Sequence, residues 1–370
     1  MTGFTVSVTV YPMKRIAVVT ATRPDVIKLA PVIKALEDRV KLFHYHTGQH
    51  WDLCDPLHKW FGLDPATMQH AAGGGSLNLL VAATIEWTDP DEYDLVVVLG
   101  DTTSAMSCAL SAFNNKIPIL HVEAGLRTHN RESPWPEEVN RQLIGRLATY
   151  HACPTLKAMR NLLDEGVNGL NCAIIGQTSI DALRWTLLKQ DVVADPQDLV
   201  LITMHRRENQ EHVIETVANT VLQLAQEHPD TDFLWPTHPN PAVKSALKRT
   251  TTGRSIPKNL RFTQPQNYQD FAKTLAIAKL IITDSGGIQE EATWLGVPFI
   301  VARDTTERPE AIDVKAGVLA GRGGETIYRL ANELLNGTYS WYDSDHLRTI
   351  YGDGDAAAKL VPYMSEWGLL

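Results

Sequence analysis

Residues 283–310 read TDSGGIQEEATWLGVPFIVARDTTERPE. The apolar run LIIT that ends at Thr283 predicts a buried strand. Ser285-Gly286-Gly287 then form a turn that opens a helix carrying Gln289, Glu290 and Glu291. A second strand over 298–302 and a charged loop containing Arg308 follow. Glycines let the backbone approach a ligand closely, and a helix start offers unpaired N–H groups to a phosphate. Acids in the first turns suit hydroxyl groups, such as those of a ribose behind that phosphate, and Arg308 supplies a cation. SGG alone is equally what an ordinary strand–turn–helix joint looks like, because Asp and Glu favour helix N-termini. The full string is far more specific.

The same rhythm recurs along the chain. Strands are expected at 15–20, 40–46, 95–99, 117–122, 150–153 and 172–175, with helices at 26–36, 77–87 and 137–147 and a flexible connector at 71–76. After a boundary near 187–196 it begins again, with strands at 199–203, 232–236, 260–263, 280–284 and 298–302 and a helix at 325–335. Repeated strand–helix alternation implies a parallel sheet with helices on both faces, hence two Rossmann-like halves. We divide the chain into an extension (1–12), a first domain (13–190), a second domain (191–350) and a segment, 351–370, that crosses back onto the first. In such sheets ligands sit beyond the carboxyl ends of the strands. The polar clusters 23–28, 48–50, 100–103 and 123–127 all fall there.

The 370 residues are ample for two cores, and 44% hydrophobic with 21% charged residues is ordinary for a globular protein. A net charge of −9 argues against broad binding to nucleic acid or an anionic membrane. No run reaches the roughly 18 apolar residues of a membrane span. No basic segment followed by an apolar core marks the N-terminus, so a cytoplasmic protein is expected. Four scattered cysteines without C-x-x-C read as reduced and packed. H-E-x-x-H, G-x-x-x-x-G-K-[ST] and an early G-x-G-x-x-G are all absent from the sequence, which leaves metal hydrolase, P-loop and NAD-fingerprint readings unsupported.

Arg23, Lys28, Arg127 and Arg141 are cations near expected strand ends or helix starts, and Asp101, Glu123 and Glu137 are carboxylates in similar places. Carboxylates set among cations suit proton transfer at a sugar carbon beside a charged leaving group. Structural ion pairs would use the same residues. His205 and His238 follow strands in the second half, where a histidine can hold phosphate, move a proton or merely pin a loop.

The strings TRPDVIKLAP, GDTTSAMSCALSAF, HVEAGLRT, SPWPEEVNRQL, PTLKAMRNLL, IDAL, HRREN, HPNP, TDSGGIQEEA, RDTTERPE and YGDG stand in this order between Met13 and Gly354. With them the chain resembles the non-hydrolysing UDP-N-acetylglucosamine 2-epimerases over nearly its whole length. The resemblance implies two Rossmann-like domains of glycosyltransferase-B type facing a cleft, usually as a homodimer. It implies interconversion of UDP-GlcNAc and UDP-ManNAc through bound 2-acetamidoglucal and UDP, with neither NAD nor a catalytic metal. Residue by residue, Asp101, Glu123, Glu137 and His205 match the family's catalytic positions. Arg23, Lys28, Ser285, Gly286, Gly287, Glu291 and Arg308 match its substrate-binding positions, with Glu291 on the ribose and Ser285 with the glycine amides on phosphate. Arg141 and His238 join that binding set by their place at the cleft.

Three departures stand out. Asp25 replaces the usual Glu after R-P, one methylene shorter. Gln177 replaces the usual Asn of a G-N-T string. Gln49-His50-Trp51-Asp52 departs from the Q-H-R loop through which many bacterial members bind an activating UDP-GlcNAc, so that activation is expected to be weak or lost. The alternatives are an epimerase acting on a modified UDP-sugar, a hydrolysing epimerase releasing ManNAc and UDP, a glycosyltransferase of the same fold, and a binder without activity.

Overall fold

The computed structural model describes residues 13–68, 81, 84, 92–204, 211–237, 240–338 and 349–370. The strands are β1 Arg15–Thr20, β2 Lys41–His46, β3 Ala66–Thr67, β4 Leu95–Leu99, β5 Ile119–Val122, β6 Tyr150–Cys153 and β7 Cys172–Ile174, then β8 Leu199–Thr203, β9 Asp232–Pro236, β10 Leu260–Thr263, β11 Leu280–Thr283, β12 Phe299–Val301 and β13 Gly317–Leu319. They form two sheets, ordered β3-β2-β1-β4-β5-β6-β7 and β10-β9-β8-β11-β12-β13. The pairings flanking the centre of each are parallel. Strands β4 and β8 are buried at every residue, which is why they read as unbroken apolar runs. Strand order reverses between β1 and β4 in one sheet and between β8 and β11 in the other. A reversal point opens a crevice at the carboxyl ends. The loops after β1, β4 and β11 therefore carry the candidate residues to the right edge of each sheet.

The first helix, Arg23–Leu36, begins three residues before the expected start at 26. Proline is compatible with a first helical turn, where its missing N–H is not needed. Asp25 completes the start by accepting from the backbone N–H groups of Thr22 (2.9 Å) and Ala21 (3.1 Å). A further helix, Trp51–Phe61, was not anticipated. Pro56 disguises it, although Cys54, Leu57, His58 and Phe61 repeat at helical spacing and Gly62 stops it at φ 63°.

One core joins Ile16, Val18, Leu29 and Ile33 of the first sheet layer to Ala356, Leu360, Met364 and Leu369. The helix Ala356–Glu366 thus packs on the first half, far from its neighbours in sequence. Asp181 caps it: the N–H groups of Ala356 and Ala357 donate to its two carboxylate oxygens at 3.0 and 2.8 Å. Trp367 stacks on Tyr150 with ring centroids 4.8 Å apart. A second core surrounds Val200, Ile202, Phe233 and Trp235. A third joins Ile180, Leu183 and Leu187 of the helix Thr178–Lys189 to Leu275, Ile281 and Phe299, so the two halves share buried apolar surface. Among the described residues no helix is long and apolar enough to cross a membrane. Residues 1–12, the connector 71–76, nearly all of the expected helix 77–87, and His205 and His238 lie outside the described residues.

Candidate active site

Glu123 follows β5 directly and sits at φ 61°, in the left-handed region that a residue with a side chain enters only at a cost of about 1–3 kcal/mol. Gly100, at the end of β4, also sits in the left-handed region, at φ 65°, and lies in ordinary contact distance of the Glu123 carboxylate. The Glu123 carboxylate is buried and takes a short hydrogen bond from Lys28 Nζ. Burial disfavours the Lys28 ammonium, but Glu123 and Glu290 together hold its pKa above the ordinary lysine value. From the other half, Arg308 Nη2 comes within 3.7 Å of Glu123 Oε1. Lys28, Glu123 and Arg308, singled out from separate strings, thus meet at one point.

Asp101, in the turn after β4, forms a short ion pair with buried Arg141 of the helix Glu137–Leu147. Two groups that the sequence did not single out hold this turn. Asn140 Nδ2 donates to the Asp101 carbonyl at 2.9 Å, and His121 Nε2 donates to the Gly100 carbonyl at 2.8 Å. Burial keeps His121 neutral, its pKa pushed down to about 3. Glu137 opens the helix one turn before Arg141 and is partly exposed. Its neighbour Glu138 is fully buried and accepts from Arg141 Nη1 (2.8 Å), the N–H groups of Thr128 and His129 (3.0 and 3.1 Å) and Gln142 Nε2 (3.1 Å). Glu138 is therefore a loop anchor. Arg127 also proves structural, donating to both carboxylate oxygens of Glu165 at 2.7 and 2.9 Å. Arg23 is the first residue of its helix; among the described residues its guanidinium forms no hydrogen bond or ion pair, and burial lowers its pKa.

In the second half, Ser285 caps the helix Gly286–Leu295 through its backbone alone, so its hydroxyl is not spent on the cap. Gly286 lies against Arg308: a Cβ there would fall 2.8 Å from Arg308 Cζ. Arg308 donates Nε to Glu290 Oε1 at 2.5 Å and Nη1 to Glu307 Oε1 at 2.5 Å. Burial alone would disfavour its charge, but Glu290, Glu307 and Glu123 hold its pKa well above the usual range. Glu307 and Glu290 are thus the groups that aim the guanidinium, and sequence reasoning missed both roles. The T-T-E-R-P-E spacing carried a signal for Glu307, since a carboxylate beside an arginine is a ready partner. Glu291 is buried, and burial with the neighbouring Glu290 charge pushes its carboxyl up to about 8. Its carboxyl therefore gives up its proton less readily than an ordinary glutamate.

Two α/β halves with their reversal points turned to a common cluster of cations and carboxylates define a two-domain protein of glycosyltransferase-B type. Comparisons narrow the class. The sequence profile described as UDP-N-acetylglucosamine 2-epimerase matches residues 34–365. The chain is 36% identical to the UDP-N-acetylglucosamine 2-epimerase of Yersinia pestis, over 94% of this chain and 97% of that one. The crystal structure of the Neisseria meningitidis UDP-GlcNAc 2-epimerase bound to UDP-GlcNAc superposes with a TM-score of 0.86 at 32% identity, over 95% of this chain and 100% of the other. That of the Methanocaldococcus jannaschii enzyme in complex with UDP-GlcNAc and UDP gives 0.80 at 29%, over 95% and 99%. The chain belongs to the UDP-N-acetylglucosamine 2-epimerase family.

Proposed function

We propose that this protein interconverts UDP-GlcNAc and UDP-ManNAc, by eliminating UDP across C1 and C2 and adding it back. The observation that carries the reading is the Glu123 carboxylate between Lys28 and Arg308, at the meeting point of the two halves. In the forward step a carboxylate takes the C2 proton and the C1–O electron pair leaves with the β-phosphate. A C1=C2 double bond forms, giving 2-acetamidoglucal and UDP. C2–H is a very weak acid, so stabilising the leaving diphosphate must supply much of the barrier lowering. Lys28, Arg308, Arg23 and the amides at Gly286 and Gly287 are the groups for that, together with the Ser285 hydroxyl, and with Arg141 orienting Asp101; His238 is assigned to the same binding role by its place in the sequence. Inversion needs proton carriers on both faces of the sugar. Asp101, Glu123, Glu137 and His205 form that set, and Glu291 holds the ribose hydroxyls.

The halves divide near residue 190, and the reaction is non-hydrolysing, cytoplasmic and carried out by a homodimer. Proton NMR of UDP-GlcNAc with the purified protein in D2O tests the chemistry. Growth of UDP-ManNAc, with deuterium at C2 of both sugars, is the expected result. Free ManNAc with UDP would move the protein to the hydrolysing reaction. An unchanged spectrum would overturn the assignment of UDP-GlcNAc as substrate.

A further inference from the structure

Glu290, next to Glu291 in the chain, has no place in the chemistry above, yet it is fully buried and is approached by donors from both halves. Arg308 Nε donates to its Oε1 at 2.5 Å. Gln177 Nε2 donates to the same oxygen at 2.6 Å, and Ser179 Oγ reaches the other at 3.3 Å. A guanidinium is a rigid planar fork. Once Nε is fixed on Glu290 and Nη1 on Glu307, the direction of Nη2 is decided, and it faces Glu123 across the cleft.

Gln177 is itself held at the place where the chain crosses between the halves. Its backbone N–H donates to the Tyr351 carbonyl at 2.7 Å. The backbone beside it is so close to the returning segment that a Cβ on Gly176 would lie 3.1 Å from Gly352 Cα. The amide therefore projects from a fixed base in the first half onto a carboxylate of the second. An asparagine there, shorter by one methylene or about 1.5 Å, would fall short of Glu290.

We propose that Gln177 is a positioning residue for Arg308: acting through Glu290, it aims the guanidinium at the leaving diphosphate. The inference rests on the reading of Arg308 as a diphosphate ligand.

The experiment compares wild type, Gln177→Leu, Gln177→Asn, Arg308→Lys and the Gln177→Leu/Arg308→Lys double variant. It measures kcat and KM for UDP-GlcNAc, UDP affinity by calorimetry and the melting midpoint. Both Gln177 variants should bind UDP about tenfold more weakly and lose about tenfold in kcat, the effect of one hydrogen bond to a charged group. KM should change by less than about threefold, because the interaction acts mainly on charge that develops as UDP leaves. If Gln177→Leu melts early, Gln177→Asn keeps a polar group in the pocket and gives the same reading. In the Arg308→Lys background the Gln177→Leu effect should vanish, since the group it acts through is gone. Gln177 variants that behave like wild type while Arg308→Lys is impaired would overturn the inference and leave the proposed function standing. Equal, additive losses in both backgrounds would also overturn it. A wild-type protein that neither binds UDP nor turns over UDP-GlcNAc would overturn the proposed function and this inference with it.

Discussion

Replacing Gly286 by alanine should disable the protein without unfolding it. The added Cβ would stand 2.8 Å from both Arg308 Cζ and Glu307 Oε1, whereas ordinary contact begins near 3.4 Å. Arg308 Nη1 would stand closer still, so the guanidinium must retreat by about 1 Å. It has little freedom to do so, because Glu290 and Glu307 each hold it at 2.5 Å. A hydrogen bond to a charged group is worth about 1.5–3 kcal/mol, so losing one lowers affinity or rate by roughly 10- to 100-fold. Alanine is a better helix former than glycine by up to about 1 kcal/mol, which offsets part of the cost to stability. The assay is kcat/KM for UDP-GlcNAc together with UDP affinity and melting midpoint. Gly323→Ala serves as the control, since a Cβ at Gly323 meets nothing within 4 Å. If Gly286→Ala kept kcat/KM and UDP affinity within about twofold of wild type, the argument that Gly286 clears space for an aimed arginine would be wrong.

Three further outcomes follow from the same structure. Burial holds His46, His58 and His151 down to about 4 and His121 to about 3, so the folded protein refuses protons that its unfolded chain accepts below pH 6.5. Stability should therefore fall as pH drops from 6.5 towards 4, by about 1.4 kcal/mol per histidine per pH unit before opposing groups are counted. Burial raises Asp25 and Asp181 to about 6 and Glu291 to about 8, so these take up protons on folding and oppose the loss until their unfolded counterparts titrate near pH 4. With four such histidines against three carboxyls, urea midpoints should fall steadily from about pH 6 to 4, and midpoints that rise on acidification there would contradict the assignment. Asp181→Ala removes the cap of the helix Ala356–Glu366 and should cost about 1–3 kcal/mol. Faster amide exchange at Ala356 and Ala357 would register it. Glu291→Gln mimics the protonated carboxyl, so UDP affinity at pH 7 should stay near wild type while Glu291→Ala loses about tenfold.

What was legible in the sequence was whatever periodicity or a contiguous string encodes. The runs LVVVL and LIIT read as strands, and both are buried at every residue. The Glu123 and Arg308 strings were legible as separate motifs, but their meeting depends on how two sheets face each other, which no local pattern carries. Neighbouring carboxylates were the harder case. Glu290 and Glu291 lie about 100° apart around a helix, and the sequence does not say which one faces Arg308. Glu137 and Glu138 pose the same problem; only the structure shows Glu138 consumed by four donors. Asp25 stood out only as one methylene shorter than the family's usual Glu. The structure makes it a buried helix cap, for which aspartate is long enough.

The helix Ala356–Glu366 covers a surface laid down much earlier: its cap, Asp181, precedes Ala356 by 175 residues. During synthesis from the N-terminus the first sheet must wait, with Ile16, Leu29 and Ile33 lacking their lid, until those late residues leave the ribosome. Expressing residues 13–190 alone would leave that face open to water and to aggregation. A fusion of 13–190 to 350–370 through a short linker would give the first half its missing wall, and is the fragment to make for studying that half in isolation.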